Sequence, residues 1–165
     1  MVPGDLIVRG LSFKGNHAID DYTLSISIAT SQSSWGARVP IVRSLIGEKR
    51  YFDPLEFRRD VVRIQALYQL SGYLHARVDT VVRRGRDDVH IQFVITEGEP
   101  VRVIGLCGMG AEAVVPTRDL QAVLPLQVGG AFNRFLLRAS GDTIRTWLQD
   151  RGYPFVEVLS EYQQD

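Results

Sequence analysis

The sequence predicts an α+β fold built from two like units in tandem, each ordered strand, helix, helix, strand, strand. Three observations carry this. First, the chain repeats itself at a fixed offset of 80 residues: Phe52-Asp53 falls on Phe132-Asn133, Arg58 on Arg138, Ile64 on Ile144, Gly72-Tyr73 on Gly152-Tyr153 and Val78 on Val158. An internal repeat sets the unit of architecture. Second, each copy carries a long amphipathic stretch with a capping residue before it and a glycine after it. Third, the stretch after the first of these alternates apolar and polar residues, the period of a half-buried strand.

In the first unit, Leu6 to Phe13 reads as a strand ended by Gly15-Asn16. Asp21 to Thr30 is ambiguous on its own, because Leu24-Ser25-Ile26-Ser27-Ile28 alternates while Leu24 and Ile28 also suit a helix face. The repeat arbitrates: Leu120 and Leu124 in the partner segment Thr117 to Leu124 share that spacing in a better helical context, so a short helix is expected in both. The long loop Ser31 to Tyr51 follows, with Trp35, Gly36, Pro40 and Gly47, and its counterpart Pro125 to Ala131 is much shorter. Added loop length of this kind accompanies function or motion. The clearest element is a helix from Pro54 to Ser71. Asp53 suits its N-cap, Pro54 its first position, and Glu56 the capping-box spacing. Phe57, Val61, Ile64 and Tyr68 form its apolar stripe, and Gly72 ends it. A strand comes next, in which Ala76, Val78, Thr80 and Val82 alternate with Arg77, Asp79 and Arg83. Arg84-Gly85-Arg86-Asp87 is a turn. The last strand sets Val89, Ile91, Phe93 and Ile95 on one face and His90, Gln92 and Thr96 on the other, giving a hairpin with one buried face.

The second unit begins near Val101, after Gly98-Glu99-Pro100. Val101 to Cys107 is expected to be its first strand, with Ile104 and Leu106 in the places of Leu11 and Phe13. Its long helix runs from Arg134 to Asp150, capped by Asn133 and closed by Gly152, with Gly141 where Val61 stood. A glycine there costs helix stability and admits a close neighbour. Phe155 to Tyr162 reads as one more strand, and the partner strand of that hairpin is missing. The domains are therefore 1–99 and 100–165, the second truncated at its C-terminus, and the chain reads as a piece of a longer protein.

Composition fits an ordered chain: 165 residues, 45% hydrophobic and 23% charged. The net charge is zero and both halves are near balance, so no global field draws nucleic acid or an anionic membrane. Units this small bury little core, so each is expected to be only moderately stable alone. No apolar run approaches the roughly 20 residues that cross a bilayer as a helix. The opening Met1-Val2-Pro3-Gly4-Asp5 lacks the basic start and apolar stretch of a signal peptide. The lone Cys107 excludes an internal disulfide and reads as an inert buried thiol.

The run Phe52-Asp53-Pro54, Asp60, Ile64, Tyr68, Ser71-Gly72-Tyr73 and Val78, followed by Glu97-Gly98-Glu99-Pro100-Val101, resembles a polypeptide-transport-associated (POTRA) domain entering its successor. So do Gly129-Gly130-Ala131-Phe132-Asn133 and Asp150-Arg151-Gly152-Tyr153-Pro154. Within that family the chain is most similar to the periplasmic arm of outer-membrane β-barrel assembly factors of the BamA and TamA type. Thr30 to Trp35, ahead of the long loop, also resembles some domains of that group. The barrel that follows the arm in that family is missing here, and relatives differ in the number of such domains.

The resemblance implies two helices packed on a small mixed three-stranded sheet in each unit. It implies a periplasmic protein-binding module of an outer-membrane protein assembly factor. Its partners would be unfolded outer-membrane β-barrel polypeptides and accessory lipoproteins or other assembly subunits. The implied mode is strand addition, in which an exposed sheet edge lends unpaired N–H and C=O groups to an extended client. By analogy the edge is the strand after the long helix: His75, Ala76, Arg77, Val78, Asp79, Thr80, Val81 and Val82. The groove between that strand and the long helix is a second candidate surface. The same fold also serves two-partner secretion and division-site scaffolds, which stand as alternatives.

No catalytic residues, metal site or cofactor are expected. His17, His75 and His90 lie on separate elements, and no HExxH, CxxC, GxSxG or P-loop pattern is present. Asp20-Asp21 and Asp87-Asp88 are adjacent pairs, which suit caps better than acid–base work because neighbours point apart. Arg83-Arg84-Gly85-Arg86 is followed at once by Asp87-Asp88 and lacks interleaved aromatics, so nucleic-acid binding is not expected.

Overall fold

The computed structural model describes residues 6–31, 51–107, 110 and 121–163. They belong to two compact units, the first drawn from residues 1–69 and 75–98, the second from 70–74 and 99–165.

In the first unit, β1 (Ile7–Lys14) ends at Gly15, whose φ of 84° turns the chain. The Asn16 side-chain amide then donates to the Ile19 carbonyl and the Asp21 carboxylate. The segment that alternates in sequence is helical: α1 spans Asp21–Ser27. Its start is fixed by Asp20, whose carboxylate accepts from the Thr23 N–H and hydroxyl. Those two bonds hold the Asp20 carboxyl below its ordinary pKa. α2 (Pro54–Leu70) follows, with the Leu55 and Glu56 N–H groups donating to Asp53 Oδ1. Glu56 turns its two oxygens to Arg59 and Arg63, forward along the helix. β2 (Arg77–Arg84) and β3 (Asp88–Thr96) form the expected hairpin, closed by a bond from the Gly85 N–H to the Asp88 carbonyl.

The sheet has the order β1-β3-β2, so the last strand lies in the middle. β3 runs parallel to β1 and antiparallel to β2, which makes the sheet mixed. A register shift between Val8 and Gly10 interrupts the β1–β3 ladder. Val89, Ile91, Phe93 and Ile95 all turn to one face, where they meet Val8, Leu24, Ile64 and Tyr68 in the core. Phe93 is its hub, with ring centroids 5.7 Å from both Phe13 and Phe57. Glu97 fastens the exit from β3: its Oε1 accepts from the His17 and Ala18 N–H groups and from the Tyr68 hydroxyl.

In the second unit, α3 (Arg134–Gln149) repeats α2 in its capping. The Phe135 and Leu136 N–H groups donate to Asn133 Oδ1, as their counterparts do to Asp53. The helix ends before Gly152, whose φ is 96°. Of the short helix expected at Thr117 to Leu124, residues 121–123 are helical and Leu124 is buried; the remainder lies outside the described residues. So does nearly all of the Ser31 to Tyr51 loop, with Trp35.

Two expected strands of this unit form no ladder. Val101 to Cys107 makes one bridge, Arg102 to Ala131, and bonds its backbone to the 129–132 turn. Ile104 is 84% exposed there, whereas Leu11 and Phe13 are half-buried. Cys107 is exposed. Phe155 to Tyr162 is likewise outside any sheet, and Phe155 is 96% exposed. The reason lies in the topology of the first unit: both segments correspond to outer strands, and a strand in the β3 place is what would pair with each. Apolar alternation aims side chains, but a ladder needs a neighbour.

The terminal segment still packs on α3. Val156 joins Ile144 and Trp147 against Leu148. A Cβ on Gly141 would stand 2.5 Å from Ser160 Oγ, so the missing side chain is what lets the segment lie close. The Tyr162 ring rests 4.9 Å from that of Phe132, and its hydroxyl is bonded to Arg134.

Candidate partner-binding edge

β2 is positioned from both ends. Gly72, with φ 91°, ends the turn out of α2. Ala76, just before the strand, is buried, and its carbonyl accepts from the Gln65 side-chain amide at 3.5 Å. The ladder therefore begins at Arg77. His75 and Ala76 precede it, while Arg83 and Arg84 extend it beyond the expected window. From Arg77 to Val82 the residues face Thr96, Ile95, Val94, Phe93, Gln92 and Ile91 of β3 in turn.

β2 pairs with β3 on one side and has no strand on the other among the described residues. In an antiparallel edge strand every second residue directs its N–H and C=O outward, so the free side is a row of alternating donors and acceptors. Val78 and Val82 lean half-buried toward the core, and Arg77, Asp79, Thr80, Val81 and Arg83 are exposed. Charges along an open edge discourage indiscriminate stacking without blocking the backbone. β1 is also outermost, but a less regular template. Its register breaks after Val8, and its start is engaged by Tyr51 and by the Phe52 N–H, which donates to the Leu6 carbonyl.

Of the eight expected residues, Arg77 to Val82 lie in β2, while His75 and Ala76 precede it and Ala76 is buried. His17, His75 and His90 remain on separate elements, and no metal-holding group of three or more His, Cys, Asp or Glu occurs among the described residues. No helix among the described residues is long and apolar enough to cross a membrane.

Sequence reasoning missed the role of Asp60, which fastens the stretch after α1 to α2. Asp60 lies wholly buried in α2 and accepts from the Ala29 and Thr30 N–H groups at 2.8 Å each and from Arg63. Burial works to raise its pKa, but the Thr30 hydroxyl, those two N–H groups and Arg63 outweigh it and leave the carboxyl below its ordinary value. The same contact raises the pKa of Arg63, with Glu56 adding to it. The clue available in sequence was an acid interrupting the apolar stripe between Phe57 and Ile64.

Comparison with known proteins bears on both units. The POTRA family model, described as "Surface antigen variable number repeat", matches residues 6–98 and again 107–165. Among curated proteins the chain is similar to an outer membrane protein assembly factor BamA from Neorickettsia risticii (strain Illinois), 25% identical over 162 residues. That alignment covers 96% of this chain and 21% of the relative, so the chain spans about a fifth of the relative's length. Among solved structures it is similar to POTRA3-5 of BamA from Haemophilus influenzae, at 22% identity and a TM-score of 0.48, covering 93% of this chain and 59% of that one. It is also similar to the N-terminal domain of Omp85 from the thermophilic cyanobacterium Thermosynechococcus elongatus, at 19% identity and 0.49, covering 98% and 58%. One family model thus fits nearly the whole chain, in two copies that coincide with the repeat read from its residues, and the chain belongs to the POTRA family.

Proposed function

We propose that the chain is a periplasmic protein-binding module of an outer-membrane protein assembly factor. It engages unfolded outer-membrane β-barrel polypeptides, and accessory subunits, by strand addition along β2. The observation that carries this reading is the one-sided pairing of β2 in a family member whose curated relative is named as such a factor. Backbone pairing supplies affinity with little demand on sequence, which suits a surface that meets many extended chains. The charged residues Arg77, Asp79 and Arg83 leave the edge soluble when it is empty.

The test is a titration of the isotope-labelled chain with an unfolded peptide from an outer-membrane barrel. Amide shifts are expected to cluster on His75 to Val82 and run on to Arg84. Shifts confined to 31–51 or to α2 would overturn the edge assignment.

A further inference from the structure

The sheet face turned away from the helices carries a feature that strand addition does not use. Its first row is Gly10, His90 and Arg83, and its second Ser12, Gln92 and Val81, each read across β1, β3 and β2. These six side-chain positions line a depression of about 290 Å³. Gly10 makes the low point: the His90 ring leans over it so closely that a Cβ there would stand 2.4 Å from His90 Nδ1. Bulges re-aim side chains beside functional surfaces, and the register shift after Val8 sits directly before this notch.

The chemistry of the lining is one-sided. Arg83 is a fixed cation, His90 and Ser12 can each donate, and the Gln92 amide lies 3.4 Å from Ser12 Oγ with a second N–H to spare. Among the described residues no carboxylate lines the depression. Of the acids on the same face, Asp88 is taken by Arg9 at 3.0 Å, and Asp79 lies opposite Val94 in the next row, outside the depression. Among the described residues Arg83 has no carboxylate within ion-pair reach. Val81, 41% exposed, and Val94 beside the groove add apolar ground to the same face. A free inorganic anion would use the donors and leave that ground bare.

We infer that this groove is a docking site for an acidic peptide segment. A carboxylate seats between Arg83 and the Ser12–Gln92 pair, and a flanking apolar side chain rests on Val81. It is a second surface, on the face of the sheet and separate from the backbone edge of β2.

The probe is a capped five-residue peptide, Glu-Val-Glu-Val-Glu, titrated into the isotope-labelled full chain. Saturable shifts are expected at Ser12, Arg83, His90 and Gln92. Arg83 is exposed, so Arg83→Ala should fold as before, checked by its melting temperature, and weaken binding about three- to fivefold. Arg83→Lys should recover part of that loss, and Arg138→Ala in the second unit should change nothing. Equal binding by Arg83→Ala, equal shifts from the lysine version of the peptide, or equal saturation by inorganic phosphate alone would each overturn the assignment. Shifts restricted to the backbone of 76–82 would also overturn it while leaving the edge reading intact. Failure of a barrel peptide at β2 would not touch it.

Discussion

Asp60 and Ser140 hold the same position in the two copies of the repeat, and they do the same work with different chemistry. Asp60 binds the backbone N–H groups of Ala29 and Thr30, and Ser140 Oγ binds that of Leu126. Each pins the stretch that follows the short first helix onto the long one. Asp60→Ala would strand two backbone donors and leave Arg63 with Glu56 alone, so we expect a loss of roughly 3 kcal/mol, read from urea midpoints. Asp60→Asn gives a sharper result. The Asp60 pKa is lowered by folding, so its contribution is present above the unfolded value of about 4 and fades as pH falls through the folded value. The gap between wild type and Asp60→Asn should therefore be full at neutral pH and close on acidification below about pH 4. A gap unchanged by pH would show that packing, not charge, sets the effect. The sequence offers only the acid's place in the apolar stripe; its partners could not be read, because Ala29 and Thr30 arrive from a distant segment. Gly10 was hidden for a similar reason: its role depends on which residue of β3 lies opposite after the register shift.

Caps and stripes made the long helices readable. Asp53 and Asn133 each collect two N–H groups as their residue types suggest, and Phe57, Ile64 and Tyr68 face inward at helical spacing. The short helix α1 was settled only by the repeat, since alternation in Leu24 to Ile28 argues equally for a strand. The glycines that end these helices are testable. Gly72 has a φ of 91°, and a Cβ there would stand 2.1 Å from the Phe132 carbonyl oxygen. Gly72→Ala should cost roughly 1–3 kcal/mol, measured by thermal melting. Gly141 tests the face of α3 on which the terminal segment packs. Gly141→Val restores the residue type found at Val61, yet its side chain would displace Ser160. We expect the 156–163 segment to leave the helix and become an early site of limited proteolysis. An unchanged cleavage pattern would show that the segment does not depend on that close approach.

At the scale of the molecule, two units of like sequence order differ in what holds them. The first has a three-stranded sheet with Phe93 wholly buried at its centre. The second, among the described residues, has a helix with extended segments beside it and no ladder. Hydrogen exchange should show the contrast, with the strongest protection at Ile91 to Ile95 and fast exchange through 103–107 and 155–163. Comparable protection in those two stretches would mean that they pair in solution. The sequence could not announce their lack of pairing, since Ile104, Leu106 and Leu159 have the spacing of strand residues whatever their neighbours. Zero net charge was informative in a narrower way: it disfavoured polyanion binding by the whole chain, yet it averages over a sheet face where Arg83 has no carboxylate within ion-pair reach among the described residues.

The middle strand of the first unit is also the last to be made: Ile7 finds its partner only at Asp88. Closing so long a loop before any reward makes the step slow. A polypeptide emerging N-terminus first must therefore carry β1, both helices and β2 without their shared seam until Thr96 is out. For that interval it shows the world a half-built sheet, with β1 and β2 open along the seam that β3 will fill.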